Sequence, residues 1–384
     1  MNGQVRQVAM ASGKKLRTNC TVFLTGVTGF LGGAFLSQLL DSAFDGEVVC
    51  LVRAEDQESA EERARKSVAR FRKNFRLSKN VRVLRGDLLS KDWHTAPELD
   101  GVTHVLHLAA STSFGNHRGI RKTNVEGALS VAASMRGRSI ERYIHTGTAT
   151  ICGAFPPHVV HEDDYPDIDA KHLVTYTRSK AEAEKLLGEH FADLPLVIAR
   201  PSIVVGDTRL GCKPSGSIFW VLRAVEALRF ITWDPSNRID VIPVDWAAAA
   251  LEKLLFKPTL RYKRYHISAG LDSSIRWHQL ASEYARLRGG PSRNRYEVGE
   301  LPDLTLSRIL KAAGDGHPRH LLHALELYYR FCALDLVFDN SRVLEEGIAA
   351  PPQFVDYMQV CLESSTASIY EQMYPDIAPA AAVA

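Results

Sequence analysis

The sequence predicts an α/β protein, a doubly wound parallel sheet joined to a smaller, mostly helical C-terminal lobe. Three observations carry that expectation. From Thr21 to about Gly206, short β-rich runs alternate with amphipathic stretches, as strand–helix–strand units do. Several of the short runs are nearly continuous in apolar residues, which suits strands covered by helices on both faces. After Pro201 the alternation stops and helical patterns dominate.

In chain order, strands are expected at 21–25, 47–53, 81–86, 103–109, 142–146 and 196–203. Helices are expected between them at 30–40, 59–73, 121–135 and 174–191. Beyond these, 211–217 reads as a loop, 218–232 as an apolar helix and 265–268 as one more strand. From 272 onward the chain is mostly helical, with polar breaks at 289–295 and 314–320. The expected division is a basic tail over 1–19, a sheet domain over 20–209 with 237–270, a second lobe over 210–236 with 271–378, and a tail over 379–384.

Composition narrows the function classes. With 45% hydrophobic and 24% charged residues in 384, the chain is neither disordered, collagenous nor a coiled coil. The net charge of 47 − 44 = +3 is too small to imply nucleic acid, and no zinc-finger or RNA-binding signature accompanies it. Six cysteines without paired spacing suggest a reduced, cytoplasmic chain. The first residues carry Arg6, Lys14, Lys15 and Arg17 but no apolar core, unlike a signal peptide. No apolar run reaches the roughly eighteen residues that a membrane-spanning helix needs.

The first strand feeds into Thr25-Gly26-Val27-Thr28-Gly29-Phe30-Leu31-Gly32. Glycines at this spacing allow a tight turn, close approach of backbone to a pyrophosphate, and close packing of helix on strand. The helix start beyond them offers free N–H groups and a positive dipole end. The context of strand, turn and helix is what makes this a dinucleotide-binding turn. The second strand ends at Arg53, where an acid would bind a ribose hydroxyl and an arginine accommodates a 2′-phosphate, so NADPH is favoured over NADH. Glu55 and Asp56 follow closely and leave the ribose alternative open. Arg63 is a candidate second phosphate contact, whereas Arg65, Lys66, Arg70 and Arg72 read as a solvated helix face.

Tyr176 and Lys180 lie four apart at the start of a helix, on one face. An ammonium beside a phenol is expected to lower its pKa, and such a tyrosine can deliver a proton to a carbonyl oxygen as hydride reaches the carbon. The fifth strand ends in Thr146-Gly147-Thr148, at the edge where open parallel sheets place ligands, so the Thr148 hydroxyl can donate to a developing oxyanion or simply cap the strand.

These stretches together resemble the extended short-chain dehydrogenase/reductases, and within them the thioester reductase and fatty acyl reductase branch, the male-sterility-like proteins. The residues that carry the likeness are the glycine turn, Cys50–Ala54 with Ala60–Arg63, Gly86-Asp87-Leu88, His107–Ala110, Thr123–Gly127, the Tyr176/Lys180 pair, the run Arg200–Asp207, and Val241–Trp246, which resembles that family's turn into its second lobe. The likeness covers residues 18–270, about two thirds of the chain. It implies a Rossmann domain whose turn, Gly26, Thr28, Gly29, Phe30, Leu31 and Gly32, holds the pyrophosphate. It further implies Arg53 and Arg63 on the 2′-phosphate, Asp87 and Leu88 at the adenine, and Ala109 and Ala110 beside the ribose. Pro201 and Ile203 would complete the cofactor contacts. Lys180 would bind the nicotinamide ribose, Tyr176 would give the proton, and Thr148 would orient the carbonyl. Asn124 matches the family's asparagine in that helix. One departure stands out: many relatives carry two or three hydroxyl residues before the alanine, where this chain has Gly147 before Thr148.

The resemblance implies NADPH-dependent reduction of an acyl thioester, on coenzyme A or a carrier protein, to an aldehyde or onward to an alcohol. A ketone or hydroxysteroid-type reductase would use the same Tyr–Lys chemistry, and a non-catalytic NADP sensor would use the fold alone. A sugar-nucleotide epimerase is disfavoured by Arg53. His317, His320 and His323 lack a carboxylate or cysteine to complete a metal set, so no metal is expected. Asn19-Cys20-Thr21 matches a glycosylation acceptor without a secretory context. Trp220, Leu222, Val225 and Leu228 suit either a substrate tunnel or the core of the second lobe. The apolar helix expected at 321–338 suits core packing, a dimer face or peripheral contact with a membrane surface.

Overall fold

The computed structural model describes residues 20–377 except 43, 116–117, 167–169 and 289–295. The basic tail over 1–19, Asn19 of the glycosylation pattern, the polar break at 289–295 and the tail over 379–384 lie outside the described residues. The chain runs β1 (Thr21–Thr25), α1 (Phe30–Asp41), β2 (Glu47–Val52), α2 (Gln57–Ala69), β3 (Val81–Arg85), β4 (Val102–His107), α3 (Gly127–Met135), β5 (Arg142–Thr146), α4 (Thr175–His190), β6 (Leu196–Pro201), α5 (Phe219–Leu228), α6 (Val244–Phe256) and β7 (Arg264–Ile267). The seven strands form one sheet in the order β3-β2-β1-β4-β5-β6-β7, every neighbouring pair parallel. Alternation along each strand divides the side chains between two buried faces. Val22, Leu24, Val48, Cys50, Leu106 and Ile144 meet α1, α2 and α6 on one face. Phe23, Val49, Val105 and Tyr143 meet α3 and α4 on the other. This is the doubly wound arrangement the sequence predicts.

Four boundaries differ, each for a local reason. The expected strand 196–203 leaves the sheet after Pro201, which has no N–H to extend the ladder. Ile203–Val204 pairs instead with Val241–Ile242. The expected helix 218–232 stops at Leu228, because Arg229 takes φ +51° and caps it; Phe230–Ile231 then pairs with Glu297–Val298. The apolar stretch 321–338 is a helix only as far as Cys332, and Val337–Phe338 becomes a strand beside Val159–Val160. Val241–Trp246 does not turn into the second lobe: Pro243 starts α6, which packs against α1 on the sheet.

The C-terminal part adds α7 (Trp277–Leu287), α8 (Leu306–Ala313), α9 (Pro318–Cys332), α10 (Phe354–Ser364) and α11 (Ile369–Ile377). Trp220, Leu222 and Val225 of α5 are buried among Trp277, Leu325, Tyr329, Phe354 and Met358, so α5 is lobe core and not a tunnel wall. Leu321, Leu325 and Tyr328 of α9 share that core. All six cysteines are free, yet Cys212 and Cys361, far apart in sequence, meet as hydrogen-bonded thiols inside this lobe. Among the described residues, no helix is long and apolar enough to cross a membrane.

Candidate functional site

The strand order reverses between β1 and β4, so their carboxyl ends open a crevice where the helices diverge to opposite faces. The glycine turn lies there. Gly26 has φ +79°, and a Cβ on it would stand 2.6 Å from the Ala109 nitrogen. A Cβ on Gly32 would stand 2.1 Å from the Gly26 carbonyl oxygen. Gly29 donates its N–H to that same oxygen (3.0 Å) and starts α1 with no side-chain cap, so the first N–H groups of the helix remain available. Phe30 stacks on Phe71 (5.9 Å between centroids), steadying the first turn. Thr28 and Leu31 flank the opening half-buried. A cradle that side chains would fill, ending in free helix N–H groups, fits the pyrophosphate of a dinucleotide.

Arg53 follows β2 with its side chain 73% exposed and its guanidinium 3.9 Å from the Asp87 carboxylate. Arg63 donates to the Arg53 carbonyl (2.9 Å), so Arg53, Arg63 and Asp87 gather at the ends of β2 and β3. Leu88 packs half-buried against Gly127. Ala109 donates its N–H to the Thr25 hydroxyl (3.2 Å), with half-buried Ala110 beside it. Pro201 ends β6, on the far side of β5 from the glycine turn, and Ile203 follows it into the separate pairing with Val241. Arg70 is exposed, as expected, yet it does more than face solvent. Its guanidinium reaches the carbonyls of Thr28 (2.9 Å) and Pro214 (3.3 Å), tying the glycine turn to the loop that enters the second lobe. Arg65 and Arg72 are surface ion pairs with Glu62 and Asp41, and Lys66 also faces Glu62.

Thr148 and Lys180 are buried at the carboxyl end of β5, and Tyr176 beside them is half-buried. The Tyr176 hydroxyl is hydrogen-bonded to Thr148, and the Thr148 side chain also caps the turn Ala149–Cys152. The Thr150 hydroxyl lies 2.9 Å from that of Thr148 and supplies a second hydroxyl in place of the one missing at 147. Lys180 donates to the Thr146 carbonyl (2.6 Å). The expected lowering of the Tyr176 pKa does not occur. Burial pushes it up to about 12, opposed only by the Thr148 hydrogen bond, because the Lys180 ammonium is directed at the strand carbonyl. Burial lowers Lys180 itself to about 8, with Glu184 acting in the opposite sense.

Glu184 explains the glycine before Thr148. A Cβ on Gly147 would fall 2.0 Å from the Glu184 carboxylate, which forms a fully buried ion pair with Arg200 (2.8 Å) and accepts from Tyr165 (2.9 Å). Asn124, in the π-helical turn Lys122–Glu126, bridges Ser111 (carbonyl at 3.0 Å, N–H at 2.7 Å) to the Ser179 hydroxyl (2.9 Å) and so fixes the start of α4.

Sequence reasoning missed what the second lobe brings to Tyr176. Phe114 stacks on Tyr176 (6.0 Å), on Tyr328 (4.4 Å) and against Phe331 (4.9 Å). Tyr328 and Trp220 hydrogen-bond the Asp376 carboxylate, which burial raises to about 6. The apolar pattern of α5 and α9 flagged Trp220, Tyr328 and Phe331 as packing; nothing local flags Asp376. A groove of about 1580 Å³ runs along the outer face of α4 and borders the site at Phe114. His317 caps α9 with its ring centroid 5.0 Å from that of His320, which bonds Tyr370, while His323 faces Glu326.

The NAD-binding family profile described as "Male sterility protein" matches residues 24–251. The chain is 29% identical over 271 residues to a putative fatty acyl-CoA reductase of Drosophila melanogaster, covering 59% of this chain and 50% of that protein. It is 29% identical over 267 residues to the nonribosomal peptide synthetase asaC of Aspergillus flavus, covering 64% of this chain and 26% of the synthetase. The chain thus spans half or less of the length of these relatives. Over 419 residues it is 23% identical to a probable fatty acyl-CoA reductase of Arabidopsis thaliana, covering 85% and 84% of the two. The fold is similar to that of the terminal R domain of the myxalamid PKS-NRPS pathway, with a TM-score of 0.73 and 21% identity over 94% of this chain and 95% of that one.

Proposed function

The chain belongs to the male sterility protein family, and on that footing we propose that it reduces an acyl thioester, held on coenzyme A or a carrier protein, with NADPH. The observation that carries the reading is the Thr148–Tyr176 hydrogen bond, one helical turn from Lys180 and beside an uncapped glycine turn at the sheet's switch point. NADPH, when bound across that turn, supplies the hydride. Gly26, Gly29 and Gly32, with Thr28, Phe30 and Leu31, seat its pyrophosphate, and Arg53 and Arg63 take the 2′-phosphate. Asp87 and Leu88 border the adenine, while Ala109, Ala110, Pro201 and Ile203 line the ribose and nicotinamide side.

Thr148 and Tyr176 hold the thioester oxygen. With its pKa near 12 the Tyr176 phenol is protonated at neutral pH and ready to give its proton as negative charge develops there. Lys180 stands behind it to bind ribose hydroxyls and to restore that proton. Collapse of the resulting hemithioacetal releases a free thiol and an aldehyde. The match to part of a peptide synthetase favours a carrier-bound substrate; the match to acyl-CoA reductases favours coenzyme A.

The deciding experiment is NADPH oxidation against acyl-CoA and acyl-pantetheine thioesters with thiol release followed in parallel, and Tyr176→Phe as control. Thiol release that matches cofactor loss and disappears in the variant is the expected result. Oxidation with ketones but without thiol would replace the thioester reading with the ketone one. Tight NADPH binding without turnover on any carbonyl would leave only the sensor.

A further inference from the structure

The second lobe reaches the proton donor through one residue near its end. Asp376, in the last turn of α11, holds the segment that follows Ala110 in two ways. Its backbone carbonyl accepts from the Ser113 hydroxyl (3.0 Å) and from the Phe114 N–H (3.3 Å). Its carboxylate accepts from Trp220 Nε1 of α5 (2.7 Å) and from the Tyr328 hydroxyl of α9. Phe114 stacks on that same Tyr328 (4.4 Å, 14° between planes) and faces Tyr176 at 6.0 Å and 26°. Both arms of Asp376 therefore end on Phe114, one at its backbone and one at the ring it stacks on.

The upstream end of the segment is fixed separately. Asn124 grips both backbone groups of Ser111 and bonds Ser179 on α4, but this anchor stops short of Phe114. The Thr148 hydrogen bond restrains only the hydroxyl end of Tyr176. Among the described residues, Phe114 is the one aromatic ring stacked on Tyr176. A carboxylate is a costly acceptor at the place Asp376 occupies, because it is desolvated and no cation pairs with it among the described residues. Its charge strengthens the two bonds from Trp220 and Tyr328, which a neutral amide would make more weakly.

We propose that Asp376 is a positioning residue of the reduction: it clamps Phe114 against Tyr176, so that the phenol stays aligned with Thr148 as the carbonyl oxygen takes its proton. The inference rests on the reductase reading above. Asp376 acts through Phe114 and not on the reacting atoms. Without the clamp, Tyr176 is free to turn about its side-chain bonds, and a misplacement of about 1 Å at a proton donor slows the step by up to about a hundred-fold.

The test is single-turnover NADPH oxidation on saturating acyl-CoA, with Asp376→Ala, Phe114→Ala and the two together. Asp376→Ala should slow hydride transfer about ten-fold or more, while the NADPH dissociation constant and binding stoichiometry stay within about two-fold. In the Phe114→Ala background the same change should matter less than about two-fold, because the ring it clamps is gone. Asp376→Asn, which keeps one acceptor oxygen, should recover part of the loss. An unchanged rate in Asp376→Ala overturns the proposal. So does an undiminished loss in the Phe114→Ala background, the pattern a purely structural role would give. Should Asp376→Ala fail to fold, Ser113→Ala removes a donor from the backbone arm and should slow the step about three-fold in the same cycle.

A second measurement is independent of turnover. The ring ¹³C resonance of Tyr176, assigned by its loss in Tyr176→Phe, should move in Asp376→Ala as the Phe114 ring current leaves it; an unmoved resonance refutes the clamp. Failure of the reductase reading looks different, since the unmodified protein would then oxidise no NADPH with any thioester while the resonance still shifted.

Discussion

Gly147→Ala isolates the contact that sets this chain apart from relatives with hydroxyl residues at that place. Gly147 does not sit in the left-handed backbone region, so an alanine there is conformationally tolerable and its cost is steric. The new methyl would stand 2.0 Å from the Glu184 carboxylate oxygen, well inside contact distance. Glu184 must swing away, and the Arg200 guanidinium, which it grips at 2.8 Å and 3.0 Å with no exposure on either side, loses its carboxylate. Breaking a buried pair on one side costs about 3–5 kcal/mol, and a partial retreat of Glu184 puts the expected loss near the lower figure. Urea unfolding followed by tryptophan fluorescence measures it. The decisive control is the same substitution in Glu184→Ala, where nothing remains to collide with. There Gly147→Ala should cost less than about 0.5 kcal/mol, giving a coupling of about 2–3 kcal/mol between the two positions. Additive losses, or a single-substitution cost under about 1 kcal/mol, would show that Glu184 does not account for the glycine.

Three further outcomes are expected. Arg53→Ala should lower the kcat/KM preference for NADPH over NADH by about ten-fold or more, because the guanidinium is exposed and 3.9 Å from the Asp87 carboxylate; an unchanged ratio removes Arg53 from the phosphate site. Arg70→Ala should weaken binding of both cofactors by a similar factor in fluorescence titrations and leave their ratio unchanged, since Arg70 holds the turn's carbonyl and the Pro214 loop and not the ribose end. Lys180 carries a pKa lowered to about 8 from 10.5, so its buried ammonium destabilises the fold at neutral pH, and that penalty fades as pH rises from about 8 through 10.5. Lys180→Met should therefore be the more stable protein in urea at pH 7, with the advantage shrinking by pH 10; a constant difference contradicts the assigned burial penalty.

The sequence by itself determined the doubly wound sheet, the glycine turn and the Tyr176/Lys180 face. Each is written in residues close together along the chain: alternation within a strand, three glycines in one turn, two side chains one helical turn apart. Arg53 and Thr148 were legible for the same reason, as strand-end residues. The end of α5 was less so, because Arg229 takes a left-handed backbone conformation that no local pattern announces. Only the tertiary structure decided the electrostatics. The sign of the Tyr176 shift depends on where the Lys180 ammonium points and on how completely α4 is covered, and both are set by segments distant in sequence. The same holds for Gly147 against Glu184 and Arg200, for Arg70 between Thr28 and Pro214, and for Phe114 held between Tyr176 and Tyr328. Local periodicity fixes which elements form, whereas desolvation and charge pairing arise where elements far apart in the chain are packed together.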